Sequence, residues 1–399
     1  MKRIYFDHSA TTPTDKRVLK EMLPYFSEIF GNASSMHSFG REAYEATEKA
    51  RVRVAEFLNC LPEEIIFTSG STESNNLVLR GLVKALGSPP PFKSPKKMGA
   101  RIHIITSIIE HDAILEPCAD LEKEGVEVTY LPVKGNGVVD VAALKKAIKP
   151  NTVLVSIMYA NNEVGSIQPI AEIGEVLSKI DRKIYFHTDA TQAINYLDCD
   201  VQKLKVDFLS LSGHKIYGPK GVGALFVRKK TPLKAIQLGG HHEKNLRSGT
   251  LNVSGVVGLG RAVEIVGKEQ KANNKKISAL RKKLVDGIIK KIPDVILNTD
   301  IERALPSHAH FSFLGAEGES ILLYLDMKGI AVSTGSACAS GSLEASQVLL
   351  AMGVNEEVAH GSIRFSLGRE NTGAEVDKVL KELPPIIAKL RKINPLYNK

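Results

Sequence analysis

The middle of the chain alternates short hydrophobic runs, rich in β-branched residues, with longer amphipathic stretches. Apolar runs of about five residues are typical of strands that are buried on both faces of a parallel sheet. The stretches between them, such as 113–124 and 170–179, carry apolar residues at helical spacing. This alternation predicts an α/β fold with a mostly parallel sheet between helices. The predicted strands are 102–106, 126–131, 152–158, 183–187, 206–211 and 222–227.

Two segments interrupt the alternation. Residues 87–99, GSPPPFKSPKKMG, combine a proline cluster with lysines and are typical of a surface loop. Residues 268–291 are rich in lysine and place apolar residues at helical spacing, which predicts a solvated helix at a change of domain. With the boundary near residue 260, we expect a large domain over 16–260. Residues 1–15 and 261–399 would then form a smaller α/β domain.

Composition narrows the class of protein. The 399 residues are 43% hydrophobic and 24% charged, which is typical of a globular protein and excludes a disordered chain or a coiled coil. No run approaches the roughly 18 apolar residues of a membrane span, and the N-terminus lacks the apolar core of a signal peptide. We therefore expect a cytoplasmic protein without a membrane partner. Four scattered cysteines argue against a disulfide scaffold or a zinc finger.

The net charge of +9 is compatible with binding to an acidic partner or to a nucleic acid. Aromatic residues make up only 6% of the chain and are not interleaved with the basic residues. Stacking on single-stranded nucleic acid therefore has little support, and we expect no direct nucleic-acid partner.

Polar side chains follow two consecutive predicted strands. Asp189 and Gln192 follow the first, and Ser212, His214 and Lys215 follow the second. Taken singly, an aspartate after a strand is usually a helix N-cap, and a lysine in such a loop is usually solvated. If the two strands are neighbours, however, all five side chains meet in one cleft where α/β folds bind ligands.

A second motif, TSGSTES at 68–74, ends a strand and opens a helix. The N-terminus of a helix attracts phosphate, and Ser71 and Thr72 are the natural contacts, although both could also serve as plain N-caps. A phosphate site, a lysine and a carboxylate in one cleft fit pyridoxal phosphate. A lysine can bind that cofactor as a Schiff base, and a carboxylate keeps its ring nitrogen protonated.

A family resemblance covers essentially the whole chain, from IYFDHSATTP near the start to IRFSLGR near the end. The chain resembles the cysteine desulfurases of the NifS/IscS type, which are pyridoxal-phosphate enzymes of the class-V aminotransferase family. The resemblance implies fold type I, a large domain with a mostly parallel sheet plus a smaller α/β domain, and an obligate homodimer. The motifs that carry it occur in the family's order: SGSTESNN, EHDAI, NNEVG, HTDATQ, SGHKIYGPKGVG, RSGT and STGSACASGSLEAS.

The resemblance also implies roles for single residues. Lys215 would be the Schiff-base lysine, Asp189 the partner of the pyridinium nitrogen, and Gln192 the partner of the cofactor's phenolic oxygen. His111 would stack on the ring and assist proton transfer. The phosphate contacts would be Ser71, Thr72, Ser212 and His214.

Three further positions complete the implied site. Thr250, in RSGT, would contact the phosphate from the second subunit. Asn162 would touch the cofactor and substrate side, and Arg364 would bind the substrate carboxylate with its two-pronged guanidinium group.

Cys338 lies among small residues in STGSACASGS, as expected of a mobile loop that carries a nucleophile. The resemblance implies that this thiol takes sulfur from L-cysteine, which leaves L-alanine and a Cys338 persulfide. An iron–sulfur scaffold or a tRNA-thiolation protein would then receive the sulfur. No metal is required, although Cys338 can transiently ligate an iron–sulfur cluster. Cys60, Cys118 and Cys199 are expected to be buried and inert.

Two departures from the family pattern concern partner choice: Ala345 stands where many relatives have proline, and 87–99 resembles an insertion. Two other functions stay open. A selenocysteine lyase or another class-V enzyme would share Lys215 and Asp189 but would not need Cys338 for cysteine turnover. A non-catalytic basic platform would stay colourless after pyridoxal phosphate is added.

Overall fold

The structure, a computed structural model, describes residues 3–87, 102–334, 345–395 and 397. Cys338 and nearly all of the predicted loop 87–99 lie outside the described residues. The α-helices of this part are α1 (Lys16–Met22), α2 (Pro24–Ser27), α3 (Ser38–Leu58), α4 (Ser71–Leu86), α5 (Asp112–Lys123), α6 (Val141–Ala147), α7 (Ile170–Leu177), α8 (Val201–Leu204), α9 (Val253–Lys291), α10 (Gly318–Met327), α11 (Gln347–Ala351), α12 (Glu356–His360) and α13 (Gly373–Ile393).

The strands of the described residues form three sheets. They are β1 (Ile4–Tyr5), β2 (Ile65–Thr68), β3 (His103–Ser107), β4 (Glu127–Leu131), β5 (Thr152–Ser156), β6 (Tyr185–Asp189), β7 (Phe208–Ser212), β8 (Gly223–Val227), β9 (Val295–Leu297), β10 (His308–Phe313), β11 (Ile330–Ala331), β12 (Ser333–Thr334) and β13 (Ser362–Ser366).

The largest sheet has the order β2-β8-β7-β6-β5-β3-β4. Strand β8 is antiparallel to both of its neighbours, and the other adjacent pairs are parallel. The predicted strands match β3 to β8 with ends shifted by no more than two residues, and this confirms the predicted α/β class. Their hydrophobic runs are explained by burial, since every residue of β3, β7 and β8 is buried.

A second sheet, of order β12-β13-β10-β9, is antiparallel, and β1 pairs with β11 in a separate parallel ribbon. The helices predicted at 113–124 and 170–179 are present as α5 and α7. Within the described residues, no helix combines the length and the apolar character that crossing a membrane requires.

Helix α9 connects the two larger sheets. It runs for 39 residues through the predicted boundary at 260 and includes the lysine-rich segment. Near its start Gly260 lies against Ala50 of α3, and near its end Gly287 lies against Leu380 of α13. The domain limits, 16–260 and 1–15 with 261–399, stay a prediction.

The first residues of the chain also join the two sheets. After β1 has paired with β11, the backbone N–H of Thr12 donates to the carbonyl of His214 at 2.9 Å, just beyond β7. The side chain of Thr12 accepts from the N–H of Tyr217 at 2.8 Å. Residues 9–14 therefore lie across the end of the large sheet.

Candidate active site

A cavity of about 600 Å³ opens at the carboxyl ends of β6 and β7, which are adjacent and parallel as the sequence predicts. This volume is within the usual range for sites that hold small molecules. The cavity brings together most of the residues that were singled out from the sequence: Ser71, Thr72, His111, Asn162, Asp189, Gln192, Ser212, His214, Lys215 and Arg364.

Asp189 is the last residue of β6 rather than the first residue after it. One carboxylate oxygen accepts from Asn75 Nδ2 at 2.6 Å, and the other accepts from the backbone N–H of Thr191 at 2.9 Å and from its hydroxyl. These three donors fix the orientation of the carboxylate. Asn75 and Thr191 were not found from the sequence, because their function depends on a contact with Asp189.

Lys215 ends the short 3₁₀ turn that follows β7. Its ammonium group donates to the carbonyls of Ser9 at 2.5 Å and Ala10 at 2.7 Å. The side-chain amide of Gln192 donates to the same carbonyl of Ser9 at 3.0 Å. The N-terminal segment therefore forms the wall opposite the sheet, a role that no residue pattern in the segment indicated.

The end of the cavity where the sequence predicts a phosphate is formed by the start of α4. The helix begins at Ser71, its N-cap is Gly70 at φ +154°, and no side chain in the described part of the protein caps it. Ser71 and Thr72 are therefore not N-caps, and the helix leaves its first N–H groups for a ligand. Gly223 explains the close packing here, because a Cβ at that position would lie 2.7 Å from the Cα of Gly70.

His214 lies at the same end. Burial, together with the nearby cations Lys215 and Lys220, lowers the pKa of its imidazole to about 4, so the ring is neutral at pH 7. Its Nδ1 lies 3.1 Å from the hydroxyl of Thr11. Lys220 also lines the cavity and adds a positive charge that the sequence-based prediction omitted.

His111 is held from two sides. Its Nδ1 accepts from the backbone N–H of Ala113 at 3.0 Å, which caps α5 and orients the ring. Directly before it, the buried carboxyl of Glu110 accepts from Ser107 Oγ at 2.5 Å and from the N–H of Met158 at 3.0 Å. Burial raises the pKa of Glu110 to about 8. Glu110 thus joins the His111 turn to another wall residue, Met158.

Arg364 reaches the cavity from β13 of the second sheet, with its side chain 2% exposed. One terminal nitrogen donates to the carbonyl of Asn162 at 2.9 Å, and the other donates to Asp7 at 2.8 Å. Its Nε is buried and has no partner among the described residues. A buried arginine that is oriented in this way suits a ligand carboxylate.

Two predicted site residues, Thr250 and Cys338, remain. Thr250 is exposed and is not part of the lining of its own chain's cavity, and Cys338 lies outside the described residues. Just after the segment that contains Cys338, the hydroxyl of Ser346 caps α11 and donates to the carboxylate of Glu163, beside Asn162.

The other cysteines behave differently from a reactive thiol. Cys118 and Cys199 are buried and Cys60 is half-buried. Burial raises the pKa of Cys60 and of Cys118 to about 12, and it raises that of Cys199 further. Thiols with such pKa values stay protonated at pH 7 and are poor nucleophiles.

The donor set fits pyridoxal phosphate. The cavity offers an amine in Lys215, a firmly held carboxylate in Asp189, and an uncapped helix start at Ser71. The side-chain oxygen of Asn75 is buried in the same wall and has no partner among the described residues. A polar, phosphorylated ring would meet all of these groups at once.

Comparisons with known proteins agree with this geometry. The family model "Aminotransferase class-V" matches residues 4–379. A cysteine desulfurase IscS of Clostridium botulinum is 49% identical over 398 residues, which cover 99% of this chain and 97% of that protein. The solved structure of a NifS-like protein superposes with a TM-score of 0.89 at 40% identity and covers 97% of this chain and 100% of the other.

A further solved structure, SspA in complex with cysteine, superposes with a TM-score of 0.78 at 37% identity. It covers 93% of this chain and 100% of that chain. The chain therefore belongs to the class-V aminotransferase family, whose members are pyridoxal-phosphate enzymes of fold type I.

Proposed function

We propose that this protein is a cysteine desulfurase that removes sulfur from L-cysteine and releases L-alanine, with pyridoxal phosphate bound in the cavity described above. The observation that carries the proposal is that Asp189, Lys215 and Arg364 line one cavity. Asp189 would serve the cofactor ring, Lys215 would supply the amine that binds the cofactor, and Arg364 would bind the carboxylate of the amino acid. The names of the relatives support cysteine as the amino acid.

When bound, pyridoxal phosphate supplies an electron sink for the carbon that loses a proton. Asp189 keeps the proton on the ring nitrogen, since its carboxylate is fixed by Asn75 and Thr191. Lys215 would hold the cofactor through its amine and would be the base that takes the α-proton of the substrate. Gln192 would donate to the phenolic oxygen, and His111 would cover the ring.

The remaining groups orient the two ends of the ligands. Ser71, Thr72, Ser212 and His214 hold the phosphate together with the start of α4. At the other end Arg364 binds the carboxylate of L-cysteine, and Asn162 keeps the guanidinium group in place through its carbonyl. The substrate is thereby held with its α-proton toward Lys215.

The sulfur step uses Cys338. Its thiolate attacks the sulfur of L-cysteine, an S–S bond forms, and the C–S bond breaks with its electron pair going to carbon. The proton that Cys338 gave up ends on the methyl group of L-alanine, so the products are L-alanine and a Cys338 persulfide. An iron–sulfur scaffold or a tRNA-thiolation protein accepts the sulfur. A free thiol of this kind requires a reducing compartment, and we place the protein in the cytoplasm.

The proposal includes a homodimer. The stretch 19–44 carries large hydrophobic side chains that are 47% to 88% exposed, an arrangement typical of a surface that another chain covers. Thr250, exposed and outside its own cavity, is free to contact the phosphate of the second copy. The exposed hydrophobic residues of this stretch are Leu19, Leu23, Phe26, Phe30, Met36, Phe39 and Tyr44.

The replacement Cys338→Ala tests the proposal. We expect the visible absorbance of the bound cofactor to be unchanged, while alanine and persulfide formation from L-cysteine fall about a thousandfold, because the nucleophile has been removed. Cys60→Ala is the matched control and should keep full activity, because that thiol lies outside the cavity. Cysteine turnover retained in Cys338→Ala would point to another class-V enzyme, and a colourless wild-type protein would point to the non-catalytic platform.

A further inference from the structure

A strained turn precedes Thr250. Three consecutive residues other than glycine, Glu243, Lys244 and Asn245, have φ values of +40°, +58° and +63°. Side chains with a Cβ rarely adopt this left-handed conformation, and a run of three persists only where the surroundings hold it in place. Such strain often marks a segment whose exact course matters for function.

The surroundings hold this turn through the side chain of Glu243, which is 2% exposed. Its two carboxylate oxygens form a two-pronged ion pair with Arg51 of α3, at 2.7 Å and 3.0 Å. One of them also accepts from the backbone N–H of Phe67 in β2 at 2.7 Å. Arg51 in turn donates to the carbonyl of Ile65 at 2.8 Å and stacks on the ring of Phe67.

The stretch between this turn and Thr250 is also fastened to its own chain. Arg247 forms an ion pair with Glu73 at 2.9 Å, and the side chain of Gln237 donates to the carbonyl of Ser248 at 2.9 Å. The course of residues 246–250 is therefore fixed, and it leaves Thr250 exposed rather than in the cavity of the same chain.

We propose that Glu243 is a positioning residue that holds the left-handed turn against Arg51 and β2, so that Thr250 is presented to the cofactor phosphate of a second copy of this chain. This inference rests on the proposed function, namely the homodimer and the phosphate contact of Thr250. It adds that the buried ion pair of one chain controls how tightly the other chain holds its cofactor.

Mixed dimers test this directly. One chain carries Lys215→Ala, so only its partner can give the visible absorbance of lysine-bound cofactor. We compare Glu243→Gln placed on the Lys215→Ala chain with Glu243→Gln placed on the chain that keeps Lys215. Titration with pyridoxal phosphate then reports the affinity of the single remaining site.

We expect the dissociation constant to rise about tenfold in the first arrangement, as for the loss of one hydrogen bond to a charged group, and about twofold or less in the second. A purely structural role of Glu243 predicts the opposite, because the residue bonds to β2 next to its own chain's phosphate site. A loss in the second arrangement that equals or exceeds the first would therefore overturn the inference.

Thr250→Val in the same two arrangements separates this inference from the proposed function. No effect of Thr250→Val on the partner's site would mean that the phosphate contact across the dimer itself is wrong. An effect of Thr250→Val without an effect of Glu243→Gln would contradict only the role of Glu243.

A second pair of variants leaves the buried ion pair intact, in case Glu243→Gln does not fold. Asn245 is exposed and has a φ of +63°. Glycine adopts this φ without strain, whereas the branched side chain of valine makes it unfavourable. On the Lys215→Ala chain, Asn245→Val should weaken cofactor binding by the partner severalfold, whereas Asn245→Gly should leave it unchanged. Equal behaviour of the two variants would argue against the turn as the positioning device.

Discussion

The two walls of the cavity are built in different ways. The sheet wall consists of residues at the ends of the neighbouring strands β6 and β7, within a stretch of the chain from Asp189 to Lys215. The opposite wall joins Ser9 and its neighbours to Asn162 and Arg364, and the ion pair between Asp7 and Arg364 joins positions 357 residues apart. The sheet wall thus follows from local strand order, whereas the opposite wall exists only once distant segments have docked.

The two walls also differ in the charged and titratable groups that they contain. In the sheet wall, three donors hold the carboxylate of Asp189 in place. Behind the opposite wall, Arg364 of β13 lies across from His310 of β10, with His308 nearby on the same strand. Burial and the positive charge of Arg364 lower the pKa of both histidines to about 3. Both histidines behind the opposite wall are therefore neutral at pH 7.

The largest expected effect concerns the sheet wall. Asp189→Asn keeps the size of the side chain but removes the charge that would retain the proton on the ring nitrogen, so we expect kcat to fall about 100-fold with the cofactor still bound. Steady-state rates of alanine formation and visible spectra measure both properties. Asp207→Asn is the matched control, because Asp207 is buried directly before β7 but does not line the cavity. A near-normal kcat in Asp189→Asn would contradict the catalytic role of the carboxylate in the sheet wall.

A smaller effect is expected from Arg364→Lys in the opposite wall. Lysine keeps the charge but cannot reproduce the two-pronged arrangement, so the KM for L-cysteine should rise about tenfold while kcat changes less. Arg369→Lys controls for the loss of a neighbouring guanidinium group, since Arg369 pairs with Asp15 outside the cavity. An unchanged KM in Arg364→Lys would show that the opposite wall does not bind the substrate carboxylate.

The smallest effect on activity is expected from His310→Gln, which should leave turnover at pH 7 unchanged but alter acid sensitivity. The unfolded chain binds a proton at this histidine near pH 6.5, whereas the folded chain resists until about pH 3. Each such histidine therefore lowers the free energy of unfolding as pH falls, by about 2 kcal/mol between pH 7 and pH 5.

Urea unfolding at the two pH values measures this contribution. His310→Gln should lose about 2 kcal/mol less stability on acidification than the wild type. The exposed residue His241 supplies the control, because His241→Gln should follow the wild type. Identical acid sensitivity in His310→Gln and the wild type would contradict the lowered pKa of His310.

The sequence predicted the sheet wall well because strand order and strand ends are local properties. Hydrophobic runs located β3 to β8 to within two residues, and the polar residues directly after them marked the site. Asn75 and Thr191 were missed although both are close to predicted residues along the chain. Nothing in their local pattern shows that they donate to Asp189, since that contact depends on how α4 packs against β6.

The family resemblance, rather than any periodicity, led to Arg364, Asn162 and Thr250. For Arg364 and Asn162 the structure supplies a reason, because the arginine donates to the asparagine's carbonyl within the cavity. The roles of Thr250 and Cys338 stay predictions that the mixed dimers and the Cys338→Ala enzyme test.

By itself the sequence determined the α/β class, the parallel strands and the cluster of polar groups at their ends. Burial leaves continuous hydrophobic runs in the strands and a helical spacing of apolar residues in the helices, and both patterns are local. Only the tertiary structure decided that Ser9 and Ala10 accept hydrogen bonds from Lys215, that Asp7 holds Arg364, and that a buried ion pair fixes the turn before Thr250. These contacts join segments that are far apart in the chain, and a local pattern carries no record of which distant partner a polar group will meet.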